Sequence, residues 1–444
     1  MTPEHDGHLG AWLNARLPVR QFLVSFLAER IPGGARWAYV FGSICLALLA
    51  VQFVTGAAIA LFYVPAPNAA LASISYLSSQ VAFGRLVLGI HHWSANIFVG
   101  VILVHVAQTF LYGAYKRPRE LVWLSGVMLL LLIQGFHFTG FVLPWDQKGY
   151  WATEVGTSIM QTAPLVGDLL MRVVRGGADL GALTLSHFYA VHVLVLPAAV
   201  VLFAGFHLVS MRWAGPAGTW RKSSAAAEEK GFFPHQVFKD AVSVMLLLLL
   251  IVGLAAFDYA PPAYVADPTD TSVVPRPEWN FLFLFQLQHY FPGSLEWVGT
   301  MVVPGMLVGI LLAVPFLDRG SERHPRRRLG MIIGGAAIGL TVAALTVLAV
   351  ASDPAAWAYA TRPVVRTGAR LYADNACASC HRVRGEGGLS GPDLSFIGQK
   401  RDLDWLRTYV RDPDSLNPSA AMPPQKGLSD REIRAIATYL HSLR

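Results

Sequence analysis

Seven apolar stretches, each close to the length that crosses a bilayer, leave this chain few folds to adopt; they run over roughly 37–62, 90–112, 121–143, 186–210, 240–257, 297–317 and 330–350. A crossing takes about 20 residues, because lipid offers no hydrogen-bond partners and a helix satisfies its own backbone. With 54% hydrophobic and only 14% charged side chains, the chain cannot coat several soluble domains. After about residue 365 the sequence is of ordinary soluble character. The fold expected is all-α, a seven-helix transmembrane bundle followed by a small soluble all-α domain. Residues 1–36 lack the apolar core of a cleavable signal. Over 12–31, Trp12, Leu13, Leu17, Phe22, Leu23, Phe26 and Leu27 alternate with Arg16, Arg20, Glu29 and Arg30, the pattern of a helix lying on the membrane surface.

Basic residues collect on alternate connections. Lys116, Arg117 and Arg119 follow the second stretch; Arg212, Arg221, Lys222, Lys230 and Lys239 follow the fourth; Arg319, Arg323, Arg326, Arg327 and Arg328 follow the sixth; the connection 63–84 has none. The positive-inside rule places these loops and the amino terminus in the cytoplasm, so an odd number of crossings puts the carboxyl-terminal domain outside. The formal charge of +7 follows from this topology and gives no reason to expect a nucleic-acid partner. Three cysteines are too few for a disulfide framework, and Cys45, alone in the first stretch, reads as a small buried residue.

Ionisable groups inside spans are costly and mark function or a specific partner. The second stretch holds His91 and His105, 14 residues apart, and the fourth His192 and His207, 15 apart. Both separations are close to four helical turns, which sets the members of a pair on roughly one face, about 21–22 Å apart. Both stretches run outside to inside, so His91 with His192 would clamp one haem near the outer face, and His105 with His207 a second near the inner face. The alternative is four independent histidines, each satisfied by a neighbouring helix. Gly42 and Gly56 in the first stretch and Gly126 and Gly140 in the third repeat the 14-residue interval, as expected where a flat macrocycle crosses a helix. Small residues also ease plain helix packing.

In the soluble tail, Cys377, Cys380 and His381 form the string CASCH, the spacing of a covalent c-type haem site with the histidine as proximal ligand. A zinc site would need more Cys or His, and the tail adds only His441. Met422, the only methionine after the motif, is the candidate sixth ligand.

With these residues in hand, the chain closely resembles the cytochrome b family of Rieske-containing quinol oxidoreductases. The matching stretches are HHWSAN (91–96), KRPRELVWLSG (116–126), FTGFVLPWDQKGYWA (138–152), HFYAVHVLVLP (187–197) and PEWNFLFLFQL (277–287). The 15-residue spacing and the style of PWDQKGYWA look more like the chloroplast type; spans five to seven resemble the separate small subunit of that complex, here fused to the first piece and to a cytochrome c of ordinary soluble type. The resemblance implies a cytoplasmic-face segment 1–36, a four-helix di-haem domain 37–230, a three-helix domain 231–350, a linker 351–365 and a cytochrome c domain 366–444. It implies two haem b and one covalent haem c in a bacterial-type inner membrane. Glu278 would take a proton from quinol at the outer face; by itself it could equally be an acid that starts a helix. A Rieske iron–sulfur protein is the implied partner, with a downstream cytochrome or other acceptor and a homodimeric complex. Arg212, Lys239, Asp240 and Tyr150 are candidates for quinone sites, although basic residues at an inner helix end also fit the positive-inside pattern.

The chain departs from the family in three places. Asn280 ends a motif that usually reads PEWY, Val40 stands where the chloroplast type anchors an extra haem by cysteine, and Leu88, His92 and His187 stand where relatives carry arginine near the outer haem. Two other functions compete: a membrane anchor that only conducts electrons, and a transporter with a histidine proton relay. The PEWN motif and spans five to seven disfavour the first, and CASCH the second.

Overall fold

The computed structural model describes residues 34–218, 220, 232–259, 276–351, 363–383, 386–388, 390–417 and 422–443, with 12, 16, 24, 27–29, 31, 32 and 266. Seven helices are long and apolar enough to cross a membrane: Trp37–Ala60, Gly84–Leu111, Glu120–Val142, Ala182–Ala214, Phe232–Phe257, Gly293–Leu317 and Leu329–Ala351, here spans 1 to 7. All seven expected stretches are therefore helices, and the protein is a multi-pass membrane protein. The surface helix expected over 12–31 lies largely outside the described residues, as does the linker at 352–362.

The chain divides into two compact units. The first comprises 1–143, 181–261 and 302–338. In it span 1 packs on span 2, span 3 on span 4, span 5 on spans 1 and 2, and span 6 on span 3. Leu48, Val99, Val200 and Ile251 meet in its core. Leu202 and Leu249 point outward and are exposed, as side chains that face lipid would be.

Span 2 begins at Gly84, six residues before its apolar stretch, because Arg85 is accommodated by donating to the Tyr259 carbonyl (2.9 Å). Span 4 is not uniform. It runs as α-helix over Ala182–Ala190, widens into a π turn over Val191–Val195 and resumes as α-helix over Leu196–Ala214. Proline has no N–H to give the ladder and crowds the carbonyl four residues back. Pro197 sits just past the π turn, which relieves that crowding by taking up one extra residue.

At one end of this unit a carboxylate is enclosed by cations. Asp318 accepts from Lys116 Nζ (2.6 Å), Tyr115 Oη (2.5 Å) and Arg328 Nη1 (3.0 Å); the three donors are buried and the carboxylate is partly so. Trp123 Nε1 donates to the Leu311 carbonyl (2.6 Å), a second tie between span 3 and span 6. Arg323 and Arg119 cap backbone carbonyls of residues 112 and 215–218. Residues that read only as topological charge thus hold spans 2, 6 and 7 together.

The second unit comprises 144–180, 262–301 and 339–444. Helices Gln147–Gln161 and Gly167–Arg175 pack together, and the buried Arg175 donates to Thr157 Oγ1 (2.8 Å) and Glu154 Oε1 (3.0 Å). In the soluble part, helix Pro363–Asp374 crosses helix Asp430–Ser442 at Gly368, where a Cβ would fall 2.0 Å from the Ala435 carbonyl oxygen. Helix Leu403–Arg411 covers the same terminal helix, and Leu406, Val410, Ile433, Ile436 and Leu440 form the core. Ser429 and Glu432 cap the last helix reciprocally. The only sheet among the described residues is a pair of two-residue strands, Arg382–Val383 and Glu386–Gly387.

Candidate metal centres

The structure brings the four span histidines into two pairs. His91 and His192 are near enough to interact electrostatically, as are His105 and His207. Each ring lies against one of the four glycines. A Cβ placed on Gly56 would fall 3.2 Å from His91 Cε1, on Gly126 3.2 Å from His207 Cε1, on Gly140 2.8 Å from His192 Cε1, and on Gly42 3.6 Å from His105 Cε1. The glycines therefore make room for the imidazoles, where the sequence had suggested only room for a macrocycle.

Hydroxyls beside those glycines fix how three rings are protonated. Thr55 Oγ1 lies 2.9 Å from His91 Nδ1, Thr139 Oγ1 2.8 Å from His192 Nδ1 and Ser125 Oγ 3.0 Å from His207 Nδ1. Each hydroxyl proton is already donated one turn back, to the carbonyls of Val51 (2.7 Å), Gly135 (2.8 Å) and Leu121 (2.8 Å). The oxygen is left to accept from Nδ1–H, so Nε2 keeps its lone pair for a metal. The π turn contains His192 and takes up one extra residue between it and His207, where the two histidines of span 2 stand fourteen apart with no π turn.

Among the described residues no three His, Cys, Asp or Glu side chains converge. A bare ion between two imidazoles would lack ligands, whereas haem brings four of its own. Paired neutral imidazoles, each seated on a glycine, fit that group.

The inner quinone candidates are drawn to separate partners. Asp240 accepts from Ser43 Oγ (2.9 Å) and Gln236 Nε2 (2.8 Å), Lys239 Nζ lies 5.0 Å from the Trp37 ring centre, and Arg212 pairs with Glu29. Leu88 is buried and the His92 ring sits 5.6 Å from Tyr259.

Glu278 occupies the N-cap position of the turn Trp279–Phe281 and makes no side-chain cap bond there. Burial raises its carboxyl above the usual range; the Lys148 ammonium opposes this and Asp146 adds to it. The PEWN and PWDQKGYWA segments are thus neighbours within the second unit. Tyr150 lies between Trp145 and Trp151, ring centres 5.7 and 5.5 Å away, and burial raises its phenol as well.

The soluble site repeats the membrane design with a different acceptor. His381 Nδ1 donates to the Pro392 carbonyl (2.9 Å), and a Cβ on Gly391 would lie 2.7 Å from His381 Cε1. Cys377 is half-buried and Cys380 exposed on the turn that leads to His381. Met422 is half-buried, next to residues 418–421, which lie outside the described part. The two thiols and the oriented imidazole fit a covalent haem.

The sequence did not reveal the π turn or the three hydroxyls. Signals for both were present: a proline five residues after His192, and a Thr or Ser immediately before Gly56, Gly126 and Gly140.

Residues 27–215 match the family model Cytochrome b/b6/petB, 265–366 match Cytochrome b(C-terminal)/b6/petD and 365–444 match Cytochrome c. The chain is similar to the cytochrome bc complex cytochrome b subunit of Chlorobaculum thiosulfatiphilum, 32% identical over 337 residues that cover 73% of this chain and 77% of that one. It is 39% identical to cytochrome b6 of Gloeobacter violaceus over 207 residues, 47% of this chain and 96% of the relative. Among solved structures it resembles a chain of a hyperthermophilic respiratory Complex III, with a TM-score of 0.69 and 27% identity over 77% of this chain and 91% of that one.

Proposed function

The chain belongs to the cytochrome b family of cytochrome bc complexes and carries a cytochrome c domain, and from that premise we propose that it oxidises quinol at the outer membrane face and returns one of each two electrons to quinone at the inner face. The observation that carries the reading is the arrangement of four imidazoles in two facing pairs, each on a glycine, in a chain that also holds CASCH.

Bound haem supplies one-electron relays, two b haems within the membrane and one c haem in the soluble domain. His91 with His192 and His105 with His207 would hold the two membrane haems through Nε2. Cys377 and Cys380 would attach the third as thioethers, and His381 and Met422 would be its iron ligands. Glu278 takes a quinol proton on its carboxylate, and its raised affinity for protons suits that task. The first electron leaves to a separate Rieske iron–sulfur protein and reaches the soluble domain, and from there a downstream cytochrome or other acceptor. At the inner face Asp240, oriented by Ser43 and Gln236, and Lys239 deliver protons to quinone, so protons are released outside and taken up inside. The complex works as a homodimer in a bacterial-type inner membrane, with the cytochrome c domain on the outer side.

The test is the complex purified from membranes. Pyridine haemochrome analysis is expected to give about two b haems per c haem, one for each imidazole pair and one for CASCH. Quinol should reduce soluble cytochrome c only while the Rieske partner is present. Another haem ratio, or undiminished turnover without that partner, overturns the proposal.

A further inference from the structure

Along helix Gln147–Gln161, every fourth residue carries an exchangeable proton or can take one: Asp146, which caps the helix, then Tyr150, Glu154 and Ser158. A step of four returns to nearly the same face of a helix and rises about 6 Å. The neighbouring face differs. Thr153 and Thr157 are buried there, and their hydroxyls are spent on the carbonyls of Gly149 (2.7 Å) and Thr153 (2.7 Å). The stripe has two defined ends. At the first, Asp146 and Lys148 are near enough to Glu278 to act on its carboxyl. At the second, Glu154 Oε1 accepts from Arg175 Nη2 (3.0 Å) and Ser158 Oγ (3.3 Å); Arg175 is buried, while the Glu154 side chain is 34% exposed. Between them the Tyr150 phenol feels the charges of Glu154, Arg175 and Asp179.

A carboxyl that takes a proton in each cycle must pass it on, because while protonated it cannot accept the next. Burial raises the proton affinity of Asp146, as it does that of Glu278, with the Gly149 N–H and the Lys148 ammonium opposing it. Burial raises the phenol as well, so Tyr150 keeps its proton and gives one up only as it receives another. We propose that Asp146, Tyr150 and Glu154 form an exit path for the proton that Glu278 takes from quinol, delivering it to the outer aqueous phase at Glu154, and that Arg175 is a positioning residue that holds this last carboxylate. The inference rests on the reading of Glu278 given above. At each hand-over one O–H bond breaks and one forms, directly or across one bridging water. No electron moves along the path, and its groups return to their starting state when the proton leaves.

The experiment is steady-state quinol oxidation by the purified complex in light and heavy water. Glu154→Gln keeps an acceptor for Arg175 but has no carboxyl to titrate. Its kcat is expected to fall about tenfold at unchanged quinol KM, less than the 10²-fold or more of a group that takes the proton itself. The solvent isotope effect should grow, because proton exit now limits the rate. Added acetate, a small acid that carries protons in place of the lost carboxyl, should restore turnover, and Glu154→Asp should retain most of it. Tyr150→Phe removes a single oxygen and should show the same fall and the same larger isotope effect; it carries the test if Glu154→Gln does not assemble. Wild-type kcat in either variant at full haem content overturns the proposal. So does a low kcat in Glu154→Gln that acetate leaves unchanged, which marks the Glu154–Arg175 pair as a brace between two helices. Wild-type turnover in Glu278→Gln fails differently, since it removes the group that loads the path and not the path itself.

Discussion

The membrane and soluble centres solve one problem with different acceptors. In both, a glycine lies against the ligand ring, and at three of the four membrane rings and in the soluble domain Nδ1–H is held, leaving Nε2 free. In the spans the acceptor is a side-chain hydroxyl, from Thr55, Thr139 or Ser125. In the soluble domain it is the backbone carbonyl of Pro392. The difference follows from the solvent. A helix in lipid spends its carbonyls on its own ladder, so orientation must come from side chains, whereas a loop in water has carbonyls to spare. Inside the spans a ligand's orientation therefore depends on sequence one residue at a time.

The largest effect that separates the two regions is expected at Gly140. Gly140→Ala puts a methyl 2.8 Å from His192 Cε1 between two packed helices, and the outer b haem should be lost from the purified complex while the c haem stays. Gly391→Ala makes a similar clash, 2.7 Å from His381 Cε1, but in a loop that can shift, so part of the c haem should remain; equal losses at the two sites would break the comparison. At the loosest corner, Gly42→Ala meets His105 Cε1 only at 3.6 Å and should keep its haem.

Next in size is Asp318→Asn, which strands two buried cations and should cost about 3–5 kcal/mol, seen as earlier thermal loss of the b haems. Burial by itself would raise this carboxyl, but the bonds from Lys116, Tyr115 and Arg328 outweigh it and hold the group below its usual value. Its stabilisation is therefore complete above the unfolded carboxylate value, about 3.9, and fades as pH falls through the lower folded value. The soluble domain, which lacks this cluster, should not share that acid sensitivity; coincident acid loss of b and c haems would contradict the distinction.

Glu278→Gln should slow quinol oxidation about 10²-fold or more with all haems bound, and wild-type turnover would exclude it as the proton acceptor. Because burial raises its pKa and only the ionised form accepts a proton, wild-type turnover should fall on acidification at a higher pH than an ordinary carboxylate would give. The smallest effect is expected of Met422→Ala, which leaves the c haem attached through Cys377 and Cys380 but lowers its potential. An unchanged midpoint would show that another group binds the iron.

The seven spans, the four histidines, the glycine interval and CASCH were legible in the sequence, because each rests on residue type and spacing along one chain. Less legible were features that depend on which helix faces which. Lys116 and Arg328 read as ordinary positive-inside residues until Asp318, some two hundred residues from Lys116 in sequence, was seen between them. The ion pair of Arg212 with Glu29 likewise joins residues far apart in sequence. Glu278 stands alone in the sequence, and only the structure brings Lys148 and Asp146 near its carboxyl.

By itself the sequence determined that this protein has seven stretches long and apolar enough to cross a membrane, holds two histidine pairs four turns apart and carries a covalent haem motif in its soluble part. Hydrophobic length, helical period and thiol spacing are properties of one strand of chain, and they survive whatever the neighbours do. Only the tertiary structure decided that a π turn opens at His192, just ahead of Pro197, and that glycines of one helix receive the imidazoles of the next. It also decided that three corners out of four offer a hydroxyl to Nδ1. Those are contacts between helices, set by packing at distances of about 3 Å, and no periodicity along a single helix contains them.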